Sequence, residues 1–516
     1  MAKEPDVVIV GAGHNGLVAA AYLARAGRRV QVLERLDHVG GAAVSAHAFD
    51  GVDARLSRYS YLVSLLPRQI VEDLGARVRL ARRRYSSYTP DPATRGDTGL
   101  LVGPESTFAA VGAADDQAAF EDFYRRCRTV TSKLWPTLLQ PLRTRDEARR
   151  HVDDDVAWRF MVDEPIGQAI TAAVSNDLVR GVMATDALIG TFARADDPSL
   201  AQNICFLYHL LGGGTGDWDV PIGGMGAVSG ALAAAAASNG AEILCGAEVY
   251  AINTDGEVSY RRDGREHTVR GGFVLANVTP AVLARLLGEP EPSLTPGAQV
   301  KVNLMLRRLP RLRDGAVSPE QAFGGTFHVN ETFSQLDTAY KRADHGVVPD
   351  PLPCEIYCHS LTDPTILSDE LRATGAQTLT MFGLHTPHRV IASDDPDRMR
   401  DMLTSAVLNS LNSVLAEPIQ DVLMEDASGR LCIETKTTVD LERSLDMTGG
   451  NIFHGALSWP FATEDEPLDT VSRRWGVATA HDRILMCGSG SRRGGAVSGI
   501  GGHNAAMAVL EAISAR

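Results

Sequence analysis

The stretch from Asp6 to Ser45 constrains the fold more than any other part of this 516-residue chain. Val7 to Val10 is a short run of apolar β-branched residues, typical of a strand buried on both faces of a parallel sheet. A Gly-x-Gly-x-x-Gly turn follows directly, then a helical stretch rich in alanine and leucine, and then a second apolar strand. This order predicts a Rossmann-type unit that binds a dinucleotide.

The three glycines of the turn have separate roles. Gly11 permits the tight turn, Gly13 lets a pyrophosphate approach the backbone, and Gly16 lets the helix pack against the strand. Glu34 lies 18 residues after Gly16, at the end of the second strand, where a carboxylate can accept both hydroxyls of an adenosine ribose. The same carboxylate would repel a 2′-phosphate by roughly 4 kcal/mol per charge at about 4 Å and an effective dielectric of about 20. NADP is therefore not expected.

A second glycine pair, Gly40 and Gly41, follows Glu34 closely. The segment DHVGGAAVS resembles the glycine doublet of the large FAD-containing oxidoreductase family, in which the backbone approaches the diphosphate a second time. This pair favours FAD over NAD.

Bulk properties exclude several classes of protein. The chain is long enough for two or three domains, and a composition of 44% hydrophobic and 22% charged residues is typical of a soluble globular protein. A net charge of -14 argues against nucleic acid as a partner.

The N-terminus and the alanine-rich segment bear on localisation. Glu4 and Asp6 are incompatible with the positive start of a signal peptide, and the most alanine-rich segment, 227–241, is interrupted by polar residues and glycine. We therefore expect a cytoplasmic protein without a transmembrane segment. Peripheral membrane contact and homo-oligomerisation stay open. The seven cysteines contain no C-x-x-C pair, which argues against dithiol redox chemistry.

The rest of the chain predicts an α/β protein. Residues 115–211 show apolar residues at helical spacing and are interpreted as a helical cap over a substrate pocket. Short buried strands are predicted at Phe273 to Ala276, Val300 to Leu306 and Ile484 to Met486. Leu62 to Leu74 predicts an amphipathic helix.

Two further glycine clusters open helices. Gly223 to Gly226 precedes an alanine-rich helix that leads back to the sheet. Gly488 to Gly502 precedes the C-terminal helix, whose N-terminus carries about half a positive charge and suits the N1 and C2 carbonyl edge of a reduced flavin. The polar residues Ser57 to Tyr61 either form a turn with satisfied hydroxyls or lie beside the flavin ring.

These elements predict a Rossmann-type, glutathione-reductase-like FAD-binding domain interleaved with an α+β substrate domain that carries the helical cap. The FAD-binding domain is expected to be discontinuous, with segments 1–105, 212–288 and 441–516. The substrate-binding and cap domain is expected to comprise 106–211 and 289–440.

Eight blocks, in one order over nearly the whole chain, resemble the phytoene desaturase and carotenoid oxidoreductase family of FAD enzymes, within the amine-oxidase-like group. The blocks are VGAGHNGLVAAAYLARAG, VGGAAVS, SRYSYLVSLL, TDALIGTFA, GDWDVPIGGMGAVSGAL, KVNLMLRRLP, GGNIFHG and CGSGSRRGGAVSGIGGHNAA. The chain departs from the family pattern at Arg492-Arg493, where the family usually has His-Pro, and at His503, where Arg is common.

The resemblance implies an FAD site built from the glycine turns and their neighbours. Val249 is expected at the adenine, and Gly224, Met225, Val497 and Gly499 near the flavin ring. The full set implied to contact FAD is Gly11, Ala12, Gly13, His14, Asn15, Gly16, Glu34, Arg35, Gly40, Gly41, Ala42, Ser57, Arg58, Gly224, Met225, Val249, Gly488, Ser489, Val497, Gly499 and Ile500.

The resemblance and the motifs together predict an FAD-dependent oxidoreductase. A C–H bond of a hydrophobic or lipid-like substrate would deliver hydride to flavin N5, and oxygen or a quinone would then accept the electrons. Tyr59 and His454 are candidates for a general base. A redox-neutral flavin isomerase, an amine oxidase and a non-catalytic lipid-binding escort are the alternatives. No metal site is predicted, and the hydrolase patterns G-x-S-x-G, H-E-x-x-H and the P-loop do not occur.

Overall fold

A computed structural model describes residues 4–293 and 295–515. Residues 1–3 and 516, assigned to the FAD-binding domain, and residue 294, assigned to the substrate domain, lie outside the described residues. The strands are β1 Val7–Val10, β2 Val30–Leu33, β3 Ser45–His47, β4 Arg55–Ser57, β5 Leu80–Ala81, β6 Ser87–Pro90, β7 Gly99–Val102, β8 Val220–Pro221, β9 Glu242–Leu244, β10 Glu248–Ile252, β11 Glu257–Arg262, β12 Arg265–Arg270, β13 Phe273–Ala276, β14 Val300–Leu306, β15 Thr326–Val329, β16 Cys354–Tyr357, β17 Gln377–Gly383, β18 Ile433–Lys436 and β19 Ile484–Met486.

Helices connect and cover these strands. They are α1 His14–Arg25, α2 Arg68–Leu74, α3 Gln117–Leu134, α4 Arg145–Val152, α5 Asp155–Trp158, α6 Ile166–Ala173, α7 Asp177–Thr185, α8 Ala201–Leu211, α9 Met225–Ser238, α10 Pro280–Leu287, α11 Pro319–Ala322, α12 Phe333–Asp344, α13 His359–Thr362, α14 Asp369–Thr374, α15 His388–Ile391, α16 Pro396–Asn412, α17 Thr438–Leu445, α18 Val471–Arg474 and α19 Ile500–Ser514. Within the described ranges, no helix combines the length and the apolar character needed to cross a membrane.

The first sheet is the Rossmann-type unit that the sequence predicted. Its five strands are parallel and run in the order β19-β13-β1-β2-β9, so β1 pairs with β2 on one side and β13 on the other. Helices α1, α9 and α19 share one buried apolar cluster with this sheet. The three-stranded antiparallel sheet β10-β11-β12 and helix α10 share the cluster on its other face. Covering on both faces is what the continuous apolar strands require.

The second large sheet has seven strands in the order β18-β14-β17-β16-β15-β6-β7 and is mixed. Strands β6 and β7 form a hairpin at its edge, where Ser87 and Tyr88 pair with Thr326 and Phe327 of β15. Residues 87–102 therefore belong to this sheet, although the sequence-based division put 1–105 with the cofactor unit. The hairpin joins it because buried Tyr88 packs in the same apolar cluster as Phe327.

The region from Gln117 to Leu211 is helical, as predicted, and its helices α3 to α8 share one buried cluster. Helix α2 is shorter than predicted. It begins at Arg68, after Pro67, because a proline disfavours helical backbone in the residue before it. Residue Val63 is instead extended and exchanges backbone hydrogen bonds with Asp219.

Candidate functional site

A cavity of about 1390 Å³ lies at the carboxyl ends of the parallel strands and extends to the seven-stranded sheet. Val10, Gly11 and Glu34 line the end next to β1 and β2, while Lys301 and Glu355 line it from the second sheet. The carboxyl end of a parallel sheet, at a change of strand order, is where open α/β folds bind their ligands.

The glycine turn after β1 has no space for a side chain at Gly11 or Gly16. A Cβ added to Gly11 would lie 2.7 Å from the carbonyl oxygen of Asn277, and one added to Gly16 would lie 2.2 Å from that of Gly11. Asn277 follows β13, and its Nδ2 donates to the Gly11 carbonyl at 3.0 Å. This asparagine also lines the cavity, and the sequence analysis missed it because its partner lies 266 residues away.

Helix α1 begins at the glycine turn, beside the cavity. Its N-cap is Gly13, and within the described part of the chain no side chain caps it. The first N–H groups of a helix have no partner within the helix, so this end is suited to an anionic ligand. Gly13 and His14 line the cavity, whereas Asn15 is buried outside the lining and Gly16 packs against the turn.

The Glu34 carboxylate is held by two backbone N–H groups, one from the glycine turn and one from the residues that follow β2. Its Oε2 accepts the Ala12 N–H at 2.7 Å, and its Oε1 accepts the Leu36 N–H at 2.9 Å. The carboxylate is 7% exposed and lines the cavity with Arg35 and Val249. Each oxygen keeps a further lone pair for a ligand hydroxyl.

The glycine doublet is divided between two roles. Gly41 and Ala42 line the cavity. Gly40 lies behind them, where its N–H donates to the Ala12 carbonyl at 2.9 Å and fixes the doublet against the first turn.

The C-terminal glycine loop contributes Ser489, Ala496 and Val497 to the lining. The Ala496 carbonyl oxygen lies 3.1 Å from His14 Nε2, so the loop meets the start of α1. Burial lowers the pKa of His14 to about 4, and this imidazole is neutral at pH 7.

The two residues that begin α19 pack against protein, and the role predicted for this helix end toward the flavin stays a prediction. A Cβ on Gly499 would lie 3.0 Å from Val18 Cγ2, which is on the α1 side. The Ile500 N–H donates to Ser498 Oγ at 3.2 Å, and Ile500 is fully buried in an apolar cluster. Gly488, Gly499 and Ile500 therefore lie outside the cavity lining.

The first backbone N–H groups of α9 are hydrogen-bonded to serine side chains of the protein itself. The Met225 N–H donates to Ser57 Oγ at 3.1 Å, and the Gly226 N–H donates to Ser45 Oγ at 3.0 Å. Gly224, Met225 and Ser57 therefore lie outside the lining, as a serine-capped helix end. Arg58 is also outside it, with its Nε donating to Glu434 Oε1 at 2.9 Å.

Of the polar segment after β4, Tyr59, Ser60 and Tyr61 line the cavity, and so does the second base candidate, His454. Burial lowers the pKa of His454 to about 4. Its Nδ1 is itself buried and has no hydrogen-bond partner among the described residues.

The far end of the cavity contains buried charged groups that the sequence analysis did not single out. Lys301 Nζ donates to the Ser57 and Tyr59 carbonyls at 2.6 and 2.7 Å and lies 4.8 Å from the Tyr61 ring centroid. Burial lowers the pKa of Lys301 to about 7 and raises that of Asp186 to about 7. Burial also raises the pKa of Glu355 to about 8. These groups come from distant elements, and no local motif announces them.

Comparison with known proteins places the chain in a family. Residues 9–69 match the model for an NAD(P)-binding Rossmann-like domain. An uncharacterized protein of Mycobacterium tuberculosis is 68% identical over 100% of this chain and 98% of its own length. The mouse pyridine nucleotide-disulfide oxidoreductase domain-containing protein 2 is 30% identical over 98% of this chain and 93% of its own.

More distant similarities agree with this. A phytoene dehydrogenase of Streptomyces griseus is 28% identical over 62% of this chain and 64% of its own. A solved structure of putrescine oxidase bound to putrescine covers 100% of both chains with a TM-score of 0.58 at 17% identity, which is a likeness of fold. The chain therefore belongs to the family of pyridine nucleotide-disulfide oxidoreductase domain-containing protein 2.

Proposed function

We propose that this protein binds FAD and takes a hydride from a C–H bond of a hydrophobic substrate. The observation that carries the proposal is one cavity lined both by the dinucleotide motif and by the second sheet. Its volume of about 1390 Å³ exceeds the roughly 300–1,000 Å³ that is usual for one small ligand. It therefore has room for a dinucleotide with a second molecule beside it.

The residues at the β1 end fit FAD. The start of α1 and the backbone of Gly13, Gly41 and Ala42 would bind the diphosphate, and Glu34 would accept the ribose hydroxyls. Val249 lines the cavity beside Glu34, where the adenine would lie. When bound, the flavin supplies the hydride acceptor.

The substrate would lie against the helical region. Val182, Ile189 and Leu210 contribute apolar surface from that region, and Phe382 contributes from the second sheet. Such a wall excludes water from the reacting carbon and favours an apolar chain.

His454 is the better supported of the two base candidates. Its pKa of about 4 keeps the imidazole neutral at pH 7, which is the form that a base requires, and the residue lines the cavity. Tyr59 lines the same cavity and stays the second candidate.

The test begins with the cofactor of the purified protein. Mass spectrometry of the released cofactor should identify FAD, and anaerobic mixing with a panel of polyenes, amines and lipids should bleach the flavin for one class. A protein that takes up no flavin after FAD supplementation would refute the proposal and leave the lipid-binding escort. Conversion of a substrate by the reduced enzyme, without net oxidation of the flavin, would instead identify an isomerase.

Amine oxidation is the second candidate function. Asp186 lines the cavity, and its carboxylate could pair with a substrate ammonium group. The amines of the same panel test this candidate directly.

The proposed partners are a lipid-like substrate and an electron acceptor such as oxygen or a quinone. Reoxidation rates of the reduced protein with each acceptor would distinguish these two. A cytoplasmic location, peripheral membrane contact and homo-oligomerisation stay proposals, which cell fractionation, vesicle flotation and sedimentation velocity would test.

A further inference from the structure

A histidine and two glutamates meet beneath the far wall of the cavity. His328 and Glu331 flank the end of β15, and Glu355 is on the neighbouring strand β16. Each offers one metal-binding atom, and these atoms all lie within 4.8 Å of one another. All three residues are buried, at 4%, 1% and 3% exposure.

Each of the three side chains uses its other polar atom for a hydrogen bond that orients it. Thr89 Oγ1 lies 3.1 Å from His328 Nδ1, and Thr185 Oγ1 donates to Glu331 Oε2 at 2.8 Å. The Tyr357 hydroxyl donates to Glu355 Oε2. Metal ligands are typically held in this way, through the atom that does not touch the metal.

The remaining atoms of the three side chains are available. Glu331 Oε1 is buried and has no hydrogen-bond partner in the part of the chain that the structure describes. His328 Nε2 and Glu355 Oε1 lie 3.9 Å apart, close enough for one metal ion to bind both atoms after a small adjustment of the side chains.

Charge points to the same conclusion. Neither carboxyl has a lysine or arginine within 4.0 Å among the described residues. Asp186 adds a third carboxyl near both glutamates, and the guanidinium of Arg83 acts on Glu355 only from beyond ion-pair distance. Buried carboxylates without a close cation are costly, and a divalent ion would offset two of these negative charges.

We propose that His328, Glu331 and Glu355 form a binding site for a first-row divalent transition-metal ion. Imidazole with two carboxylates suits Mn²⁺, Fe²⁺ or Zn²⁺ better than Ca²⁺ or Mg²⁺, which prefer oxygen ligands alone. His328 and Glu355 line the cavity, so the ion would face it and keep a coordination position open for water or an oxygen of a bound molecule.

The experiment uses Mn²⁺ as the probe on the FAD-loaded protein after treatment with EDTA. Free Mn²⁺ is counted by its EPR signal during titration, and electron-spin-echo modulation of the bound ion reports imidazole nitrogen. We expect one equivalent of bound Mn²⁺ with the signal of one histidine nitrogen. Absence of Mn²⁺ binding, or bound Mn²⁺ without that nitrogen signal, overturns the proposal and leaves two carboxyls that share a proton. This measurement needs no variant.

Three variants locate the site. E331Q keeps an oxygen that can accept the Thr185 hydrogen bond but removes a charged ligand, so it should weaken Mn²⁺ binding by at least about 100-fold. T185V removes the hydrogen bond that orients Glu331 and should weaken Mn²⁺ binding by about 10-fold. The matched control is E289Q, since Glu289 Oε1 lies 2.6 Å from His481 Nε2 in an exposed pair. Its Mn²⁺ affinity should equal that of the native protein. Equal Mn²⁺ affinity in the native protein and in folded E331Q would show that the ion binds elsewhere and would overturn the assignment.

Discussion

Replacing Glu34 with glutamine separates two roles that the structure gives to this carboxylate. One role is internal, because its oxygens accept the N–H groups of Ala12 and Leu36 at 2.7 and 2.9 Å. The other is the proposed acceptance of ribose hydroxyls in the cavity. Glutamine has nearly the same shape but only one accepting oxygen.

The two losses have different magnitudes and different readouts. One backbone N–H would face an amide NH₂, and an unsatisfied buried donor costs about 1–3 kcal/mol of folding free energy. Loss of a charge-assisted hydrogen bond to the ribose would cost about 1.5–3 kcal/mol of FAD binding, which is roughly a 10- to 150-fold rise in Kd.

The assay titrates apoprotein with FAD by isothermal calorimetry and measures thermal unfolding of the same samples. We expect Glu34→Gln to lower Tm and to raise the Kd for FAD, and Glu289→Gln, an exposed carboxyl paired with His481, to change neither. A lower Tm with an unchanged Kd would refute the ribose role and leave Glu34 as a structural residue of the turn.

Three further predictions follow from single positions or groups. Gly16→Ala should abolish FAD binding and cost about 1–3 kcal/mol of stability, because its Cβ would lie 2.2 Å from the Gly11 carbonyl oxygen. The control is Gly230→Ala, whose Cβ would have no atom within 4 Å, and this variant should unfold at the same temperature as the native protein or higher. His454→Gln should slow anaerobic flavin reduction by about 10²- to 10⁴-fold at unchanged FAD affinity, and an unchanged rate in stopped-flow measurements would eliminate this base. Stability should fall as pH drops from about 6.5 towards 4, by up to about 1.4 kcal/mol per pH unit for each buried histidine, because the unfolded state takes up protons that the native state refuses. Apart from His328 of the proposed metal site, the histidines whose pKa burial lowers to about 3 or 4 are His14, His209, His359, His385 and His454. A flat Tm over this range would contradict their burial as neutral rings.

The predicted strands of the cofactor unit and the second sheet have the bounds that the structure shows. Val7–Val10, Phe273–Ala276 and Ile484–Met486 are recognisable because strands covered on both faces are short, continuous apolar runs, and Val300–Leu306 is recognisable because its residues alternate as in a sheet strand. The edge hairpin at residues 87–102 was assigned to the other unit. Its pairing with β15 joins residues far apart in sequence, and a local pattern carries no information about such a partner.

The glycine clusters also show which features a local sequence pattern can predict and which it cannot. A glycine turn that opens a helix either exposes N–H groups to a ligand or allows close packing, and the sequence around it is the same in both cases. At α1 no described side chain caps the helix, and Gly13 and His14 line the cavity. At α9 the donors bond to Ser45 and Ser57, which come from another part of the chain. The metal-binding group was missed for a related reason, since its ligands do not form a contiguous motif.

The buried charges at the far end of the cavity bear on the substrate. Asp186 and Lys301 line the cavity, and burial raises the pKa of Asp186 to about 7 and lowers that of Lys301 to about 7, which reflects the cost of ionising each group there. Apolar side chains of similar size would stabilise this region more, so the polar groups are better explained by recognition of a ligand. A pure hydrocarbon has no atom that could form a hydrogen bond to these groups, and we therefore expect a substrate with an apolar chain and an oxygen- or nitrogen-bearing group.

The test compares anaerobic flavin reduction by a hydrocarbon polyene and by its hydroxylated counterpart, which have the same apolar chain. The hydroxylated compound should be the more efficient reductant by about 10-fold or more, the value of one hydrogen bond of about 1.4 kcal/mol in the bound state. Equal efficiencies would show that the reacting molecule does not reach the polar end.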